Sequence, residues 1–177
     1  MPLDGSDGEL AVGERGEVCI AGPNVTAGYW NRPDATAEAM TTDGFLRTGD
    51  VGYMDEGGWV YIVDRTKDMI LCSGYNVYPR TIEEAIYEHP SVEEVSVIGV
   101  DDAYRGQAPK AFIKLKAGAE AFDFAKLQAF LEPRLGKHER LQAMEIRDAL
   151  PRTPVGKLSK KELVEEERQR SAVASAG

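Results

Sequence analysis

Cysteine is nearly missing from the 177 residues: Cys19 and Cys72 are the two thiols, far apart and without paired spacing. That excludes a disulfide framework and a thiolate zinc site, and both read as small buried or half-buried side chains. Histidine is as scarce. His89, beside Pro90, reads as a helix-end residue rather than a ligand, and no metal site is expected. No apolar run approaches the ~20 residues needed to span a bilayer, and the first residues lack the charged-then-apolar layout of a secretion signal. The expectation is a soluble, cytoplasmic chain with no transmembrane segment. Basic residues are almost absent from the first third, where residues 1–64 hold 3 Lys and Arg against 12 Asp and Glu. Residues 65–177 hold 18 of each, so the formal net charge of -9 resides in that first third. A general nucleic-acid binder is excluded on that balance.

What is present suffices for a core, since 42% of the residues are apolar. Residues 16–21 read as a strand ended by Gly22-Pro23-Asn24, and Asp55-Glu56-Gly57-Gly58 separates two strands as a hairpin reversal. Between them, Pro33 to Met40 reads as one or two helical turns, with Asp34 placed to cap or lead them. After Asp64 the pattern changes to alternating helices and strands. Pro79 opens a helix with Ile82, Ala85, Ile86 and His89 on one face, and Pro90 stops it. Val95 to Val100 is a buried strand. In the next strand Ala111, Ile113 and Leu115 alternate with Phe112, Lys114 and Lys116. Asp123 can cap a helix whose inner face is Phe124, Leu127 and Leu131, Met144 and Ile146 mark a short strand, and Ser159 with Glu162 forms a capping box for the last helix. The end of the chain is small and uncharged and is expected to fray. No internal repeat is visible.

Three segments carry chemistry. Arg47-Thr48-Gly49-Asp50 puts a carboxylate at the lip of the hairpin, where it can accept two hydrogen bonds from a vicinal diol such as a ribose. Asp64-Arg65-Thr66-Lys67-Asp68 stands where charge balance and element pattern both change, a natural hinge. The run after it, Met69 to Pro79, contains Gly74, and a glycine in an otherwise apolar strand lets another group approach the backbone closely. Pro151-Arg152-Thr153-Pro154-Val155-Gly156-Lys157 is a stiff, glycine-ended loop that presents one lysine. It is not a P-loop, since the glycine spacing and the Ser/Thr after Gly-Lys are missing. A lysine on a constrained loop can still stabilise a developing phosphate or carboxylate charge. The stretch 134–161 is rich in Lys and Arg, which suits an anion or a solvated basic face equally.

Taken in this order, the segments resemble the C-terminal part of the adenylate-forming enzymes (the AMP-dependent synthetase/ligase superfamily), most of all the fatty acyl-CoA synthetases. The resemblance covers residues 9 to about 165 and includes Gly16-Glu17-Val18, Gly28-Tyr29-Trp30-Asn31-Arg32-Pro33, Asp43-Gly44-Phe45-Leu46-Arg47-Thr48-Gly49-Asp50 and Asn76-Val77-Tyr78-Pro79-Arg80. It implies an α+β fold. Residues 65–165 would be a small C-terminal lid domain with a mixed sheet and packed helices, residues 1–64 an irregular antiparallel β remnant of the large N-terminal domain, and residues 166–177 a frayed tail. It implies that Asp50 holds the ribose of ATP and AMP with Arg65 reaching toward it, that Lys67 is the hinge, that Lys157 is catalytic in adenylation, and that Gly74 lines the channel for coenzyme A. The reaction implied joins a carboxylic acid to coenzyme A with ATP, through an acyl-adenylate, with Mg in the full-length enzyme. The chain alone is not expected to catalyse it, because the phosphate loop, adenine segment and acyl pocket of that family lie in the large N-terminal domain. One departure is Thr81, where the family's helix usually starts Pro-x-Glu, leaving Glu83 as the remaining glutamate. Two alternatives are a substrate for a lysine acetyltransferase at Lys157, and an aryl-CoA or carrier-protein ligase of the same superfamily.

Overall fold

In the computed structural model, residues 1–6 and 8–175 are described, and the chain divides into two compact units, Met1–Lys67 and Asp68–Gly177. In the first unit three strands form an antiparallel sheet in chain order: β1 (Gly16–Ile20), β2 (Leu46–Met54) and β3 (Val60–Arg65). The β2–β3 reversal is held by Asp55. Its Oδ1 accepts the N–H groups of Gly57 (2.9 Å) and Trp59 (3.0 Å), and its Oδ2 accepts the Tyr61 hydroxyl (3.0 Å). The Trp59 N–H, foremost among these donors, holds the Asp55 carboxyl below the usual carboxylate range. Helix α1 (Pro33–Ala39) starts from Arg32, without a side-chain cap; Pro33 sets the first turn and Asp34 lies within it, leading the helix rather than capping it.

The second unit is a five-stranded mixed sheet. Strand order is β5 (Tyr75–Val77), β4 (Ile70–Cys72), β7 (Gly106–Leu115), β6 (Val92–Asp102), and β8 (Ala143–Ile146) pairs with β7 in parallel. The long β6–β7 hairpin is its centre. Helices α2 (Pro79–Tyr87) and α3 (Phe124–Leu131) contribute Ile82, Ile86, Leu127 and Leu131 to a cluster with Val95, Val97, Ala111 and Ile113. Asp123 caps α3 by accepting the Lys126 N–H.

Phe112, which alternates with Ala111 and Ile113 along β7, lies on the other face of the strand from them. It is fully buried in a second cluster with Ile98, Leu150 and Leu163. Leu163 comes from α4 (Lys160–Ser175), so the central strands are buried on both faces. The helix runs past residue 165, where fraying is expected, through Ser175, because charged groups fasten it. Lys110 Nζ reaches Glu167 (2.7 Å) and Glu145 (3.3 Å), Arg147 reaches Glu145 (2.8 Å) and Glu166 (2.7 Å), and Arg170 reaches Glu145 (2.7 Å) and Glu167 (3.1 Å). Glu83 on α2 adds a second tie: it accepts the Val97 N–H (2.8 Å) and pairs with Lys160 (2.9 Å) at the start of α4.

Burial pushes the Glu145 carboxyl up, but hydrogen bonds from Arg170 and Arg147 and the charges around it outweigh burial and hold it at about 2. A folded value below the ordinary 4.5 means that its stabilisation is complete above that pH and is lost as pH falls through about 2. Glu145→Gln is therefore expected to cost roughly 1–3 kcal/mol at neutral pH. Urea unfolding from pH 6 to pH 2 should show the gap to the parent chain closing below about 4.5. A gap that stays constant down to pH 2 contradicts the network.

Candidate functional site

The carboxylate at Asp50 is set by its neighbours in the first unit. Asp50 stands opposite Arg65 across the β2–β3 pair, and Arg65 Nε lies 3.2 Å from Asp50 Oδ1. Both side chains are open to solvent, 38% and 52% exposed, so a ligand can reach the carboxylate. The backbone leading to it is clamped. Glu17 on β1 accepts the Gly49 N–H on Oε1 (3.1 Å) and the Arg47 guanidinium on Oε2 (3.0 Å). Thr48 Oγ1 accepts the Asp50 N–H (3.1 Å) and donates to the Val18 carbonyl (2.7 Å). Glu17, which braces the backbone leading to Asp50, does not stand out by its spacing. Its one signal is the glutamate of Gly16-Glu17-Val18.

Lys67 lies in a 3-10 turn, Thr66–Asp68, at the end of the first unit. Its side chain is exposed and has no ion-pair partner among the described residues. Before it, Asp64 is buried and accepts the Arg65 N–H at 2.7 Å, which fixes the chain direction into the turn.

In the second unit, Gly74 is not inside a strand. Cys72 pairs with Tyr75, and Ser73 (φ 52°) and Gly74 (φ 81°) form the two-residue reversal between β4 and β5. Two successive positive φ values are the signature of a type I′ hairpin turn, which explains the glycine through its backbone. The space beside it is open, with nothing within 4 Å of where a Cβ would stand.

Lys157 ends a tight hairpin loop in which Arg152 bridges to Leu158. Thr153 N–H donates to the Lys157 carbonyl (2.7 Å), Gly156 N–H to the Thr153 carbonyl (2.8 Å), and Lys157 N–H to Thr153 Oγ1 (3.2 Å). Gly156 takes φ +84°, which lets the loop close. The surrounding basic stretch is mostly consumed internally: Arg134 pairs with Glu88, Arg140 with Glu132, Arg147 with Glu145 and Glu166, Arg152 with Glu94, and Lys160 with Glu83. Lys157, Lys137 and Lys161 are left without an ion-pair partner among the described residues. An unpaired ammonium on a braced loop is available for an incoming anion.

The structure thus joins Asp50 to Arg65 and puts Gly74 and Lys157 on two separate turns of the second unit. Among the described residues no group of three or more His, Cys, Asp or Glu side chains could hold a metal ion, so no ligand for Mg is assigned here. No helix is long and apolar enough to cross a membrane among those residues.

A family model described as the AMP-binding enzyme C-terminal domain matches residues 81–157. A long-chain-fatty-acid–CoA ligase of Bacillus subtilis (strain 168) is 52% identical over 161 residues, which are 90% of this chain and 28% of the relative. Among solved structures, ATP-bound MatB from Rhodopseudomonas palustris matches with a TM-score of 0.83 and 38% identity, over 89% of this chain and 31% of that one. The o-succinylbenzoate CoA synthetase (MenE) of Bacillus subtilis, in complex with the acyl-adenylate intermediate OSB-AMP, matches with a TM-score of 0.79 and 34% identity, over 87% and 31%. The chain spans about three tenths of the length of the relatives it matches.

Proposed function

Because residues 81–157 belong to the AMP-binding enzyme C-terminal domain family and the chain corresponds to the C-terminal part of an adenylate-forming enzyme, we propose that it serves a carboxylate–CoA ligase, most like the fatty acyl-CoA synthetases. The observation that carries the reading is Lys157, a cation with no ion-pair partner among the described residues, on a braced loop whose basic neighbours are largely neutralised. In the first half-reaction a carboxylate oxygen attacks the α-phosphorus of ATP, the bond to the bridging oxygen breaks, and pyrophosphate leaves. Lys157 meets the negative charge that builds on the phosphoryl and carboxylate oxygens. Asp50 accepts the ribose hydroxyls, and Arg65 orients Asp50 and approaches the same ribose. In the second half-reaction the sulfur of coenzyme A attacks the acyl carbonyl and AMP leaves. Gly74, with open space beside its turn, borders the path of the thiol. Lys67 is the pivot between the two arrangements, so that one small unit offers first a cation and then a thiol channel. The phosphate loop, acyl pocket and Mg ligands belong to the rest of such a ligase, and the chain alone is inactive on this account.

The test is carboxylate-dependent ATP–pyrophosphate exchange by a ligase carrying this chain. Asp50→Asn is expected to raise the KM for ATP about tenfold to a hundredfold, the worth of hydrogen bonds to a charged acceptor. With 2′-deoxy-ATP that penalty should shrink, because the mutation and the missing hydroxyl remove the same contact. Equal penalties with both nucleotides contradict a ribose role for Asp50. A second reading draws on the exposure of Lys157: an acetyltransferase that neutralises it would switch adenylation off. Transfer of label from acetyl-CoA to the chain, absent in Lys157→Arg, would support that reading.

A further inference from the structure

We propose that Arg152 is a positioning residue for Lys157, tying the lysine-bearing loop to the sheet and fixing the peptide plane from which Lys157 projects. The inference rests on the proposed adenylation role of Lys157. One guanidinium makes both connections: Nη1 donates to the Gly156 carbonyl at 2.5 Å, and Nη2 pairs with Glu94 Oε1 on β6. The carbonyl held is that of the peptide bond leading into Lys157. That same peptide's N–H is held by Thr153 Oγ1, so the plane is gripped on both sides.

Glu94 is available to Arg152 because its cross-strand neighbour makes its close ion pair with another carboxylate and acts on Glu94 only through the longer-range charge interaction. Lys114 stands opposite Glu94 in the β6–β7 register, yet its ammonium pairs with Glu93 at 2.6 Å. Glu94 is left to Arg152, and its side chain is only 18% exposed. The loop's folding does not need this tie. Its backbone bonds close within residues 151–159, and its flanks are anchored by Leu150 and Leu158 in the second apolar cluster. What Arg152 adds is the orientation of the tip, and a displacement of about 1 Å at a reacting centre can cost ~10²-fold in rate. A lysine at 152 cannot replace it, because a point-charge ammonium on a flexible stem does not present a planar fork to a carboxylate and a carbonyl together.

Arg152→Ala, Arg152→Lys and Glu94→Gln are made in a ligase carrying this chain, with Lys157→Ala alongside. Arg152→Ala and Glu94→Gln are expected to lower the kcat of adenylation about 10- to 100-fold, with KM for ATP and carboxylate nearly unchanged and thioester formation from a supplied acyl-adenylate retained. Arg152→Lys should keep the melting temperature and still show most of the loss. In the 177-residue chain itself, hydrogen exchange at the Lys157 amide should speed up about tenfold in Arg152→Ala. Normal adenylation by Arg152→Ala beside an impaired Lys157→Ala overturns the inference and leaves the function standing. Normal adenylation by Lys157→Ala overturns the functional reading, and the amide exchange then decides alone whether Arg152 orders the loop. Equal loss in both half-reactions, or a lowered melting temperature in both Arg152→Ala and Glu94→Gln, makes Arg152 structural and overturns the positioning role.

Discussion

Lys67→Pro, in a ligase carrying this chain, is expected to block one half-reaction while sparing the other. Lys67 is the last residue of the first unit and sits in a three-residue 3-10 turn. Its side chain is exposed and unpaired among the described residues, so the substitution removes no ion pair. What changes is the backbone. Proline fixes φ near -65° and removes an N–H, which stiffens the segment that must change its dihedrals if one unit swings against the other. A pivot frozen in one arrangement supports the chemistry of that arrangement alone. The arrested half-reaction should fall at least ~10²-fold, the scale on which a misplaced catalytic group fails. A melting curve comes first, since the lost N–H could destabilise the turn. If the variant melts as the parent does and runs both half-reactions at parental rates, Lys67 is not the pivot.

Much of the fold is legible in the sequence because the punctuation is local. Pro79 and Pro90 bracket α2, Asp123 caps α3, and the Asp55 turn closes the β2–β3 hairpin, each by chemistry within four residues of its own position. The second core was not legible. Phe112 alternates onto the same side as Lys114 and Lys116, and the helix that covers it brings mainly Leu163 and Val164, too few apolar groups to announce a buried face. That helix is held instead by charges from β7, β8 and α4, whose partners lie up to 57 residues apart. No periodicity reports such pairs. For the same reason the basic stretch 134–161 looks like an anion surface until its partners Glu83, Glu88, Glu94, Glu132 and Glu166 are seen in place.

The candidate site divides along the same line. Asp50, Arg65 and Lys157 take their site roles from the resemblance that their segments carry together, and the antiparallel register then joins the first two. Gly74 was legible as important but not as a turn. Ser-Gly is a turn signal, yet the apolar residues on both sides read as one continuous strand. Glu17 and Arg152 act through other residues, on backbone groups remote in sequence or hidden within a loop, and a charged residue's type does not reveal which carbonyl or N–H it will hold.

On the proposed function, Lys157 serves the adenylation half of a two-step ligase reaction and withdraws from the other half. Loss of one positioned charged contact to a transition state costs about 10²–10³ in rate, and the Lys157 side chain has no ion-pair partner among the described residues whose loss would disturb the fold. Its loop closes through backbone bonds and Thr153 Oγ1, which Lys157→Ala leaves in place. The decisive measurement is the rate of each half-reaction in Lys157→Ala, made on one preparation of a ligase carrying this chain: adenylation by ATP–pyrophosphate exchange, and thioester formation from supplied acyl-adenylate and coenzyme A. Adenylation is expected to fall about 10²–10³-fold with thioester formation near the parental rate. Equal losses in the two half-reactions, or none in either, would contradict that role.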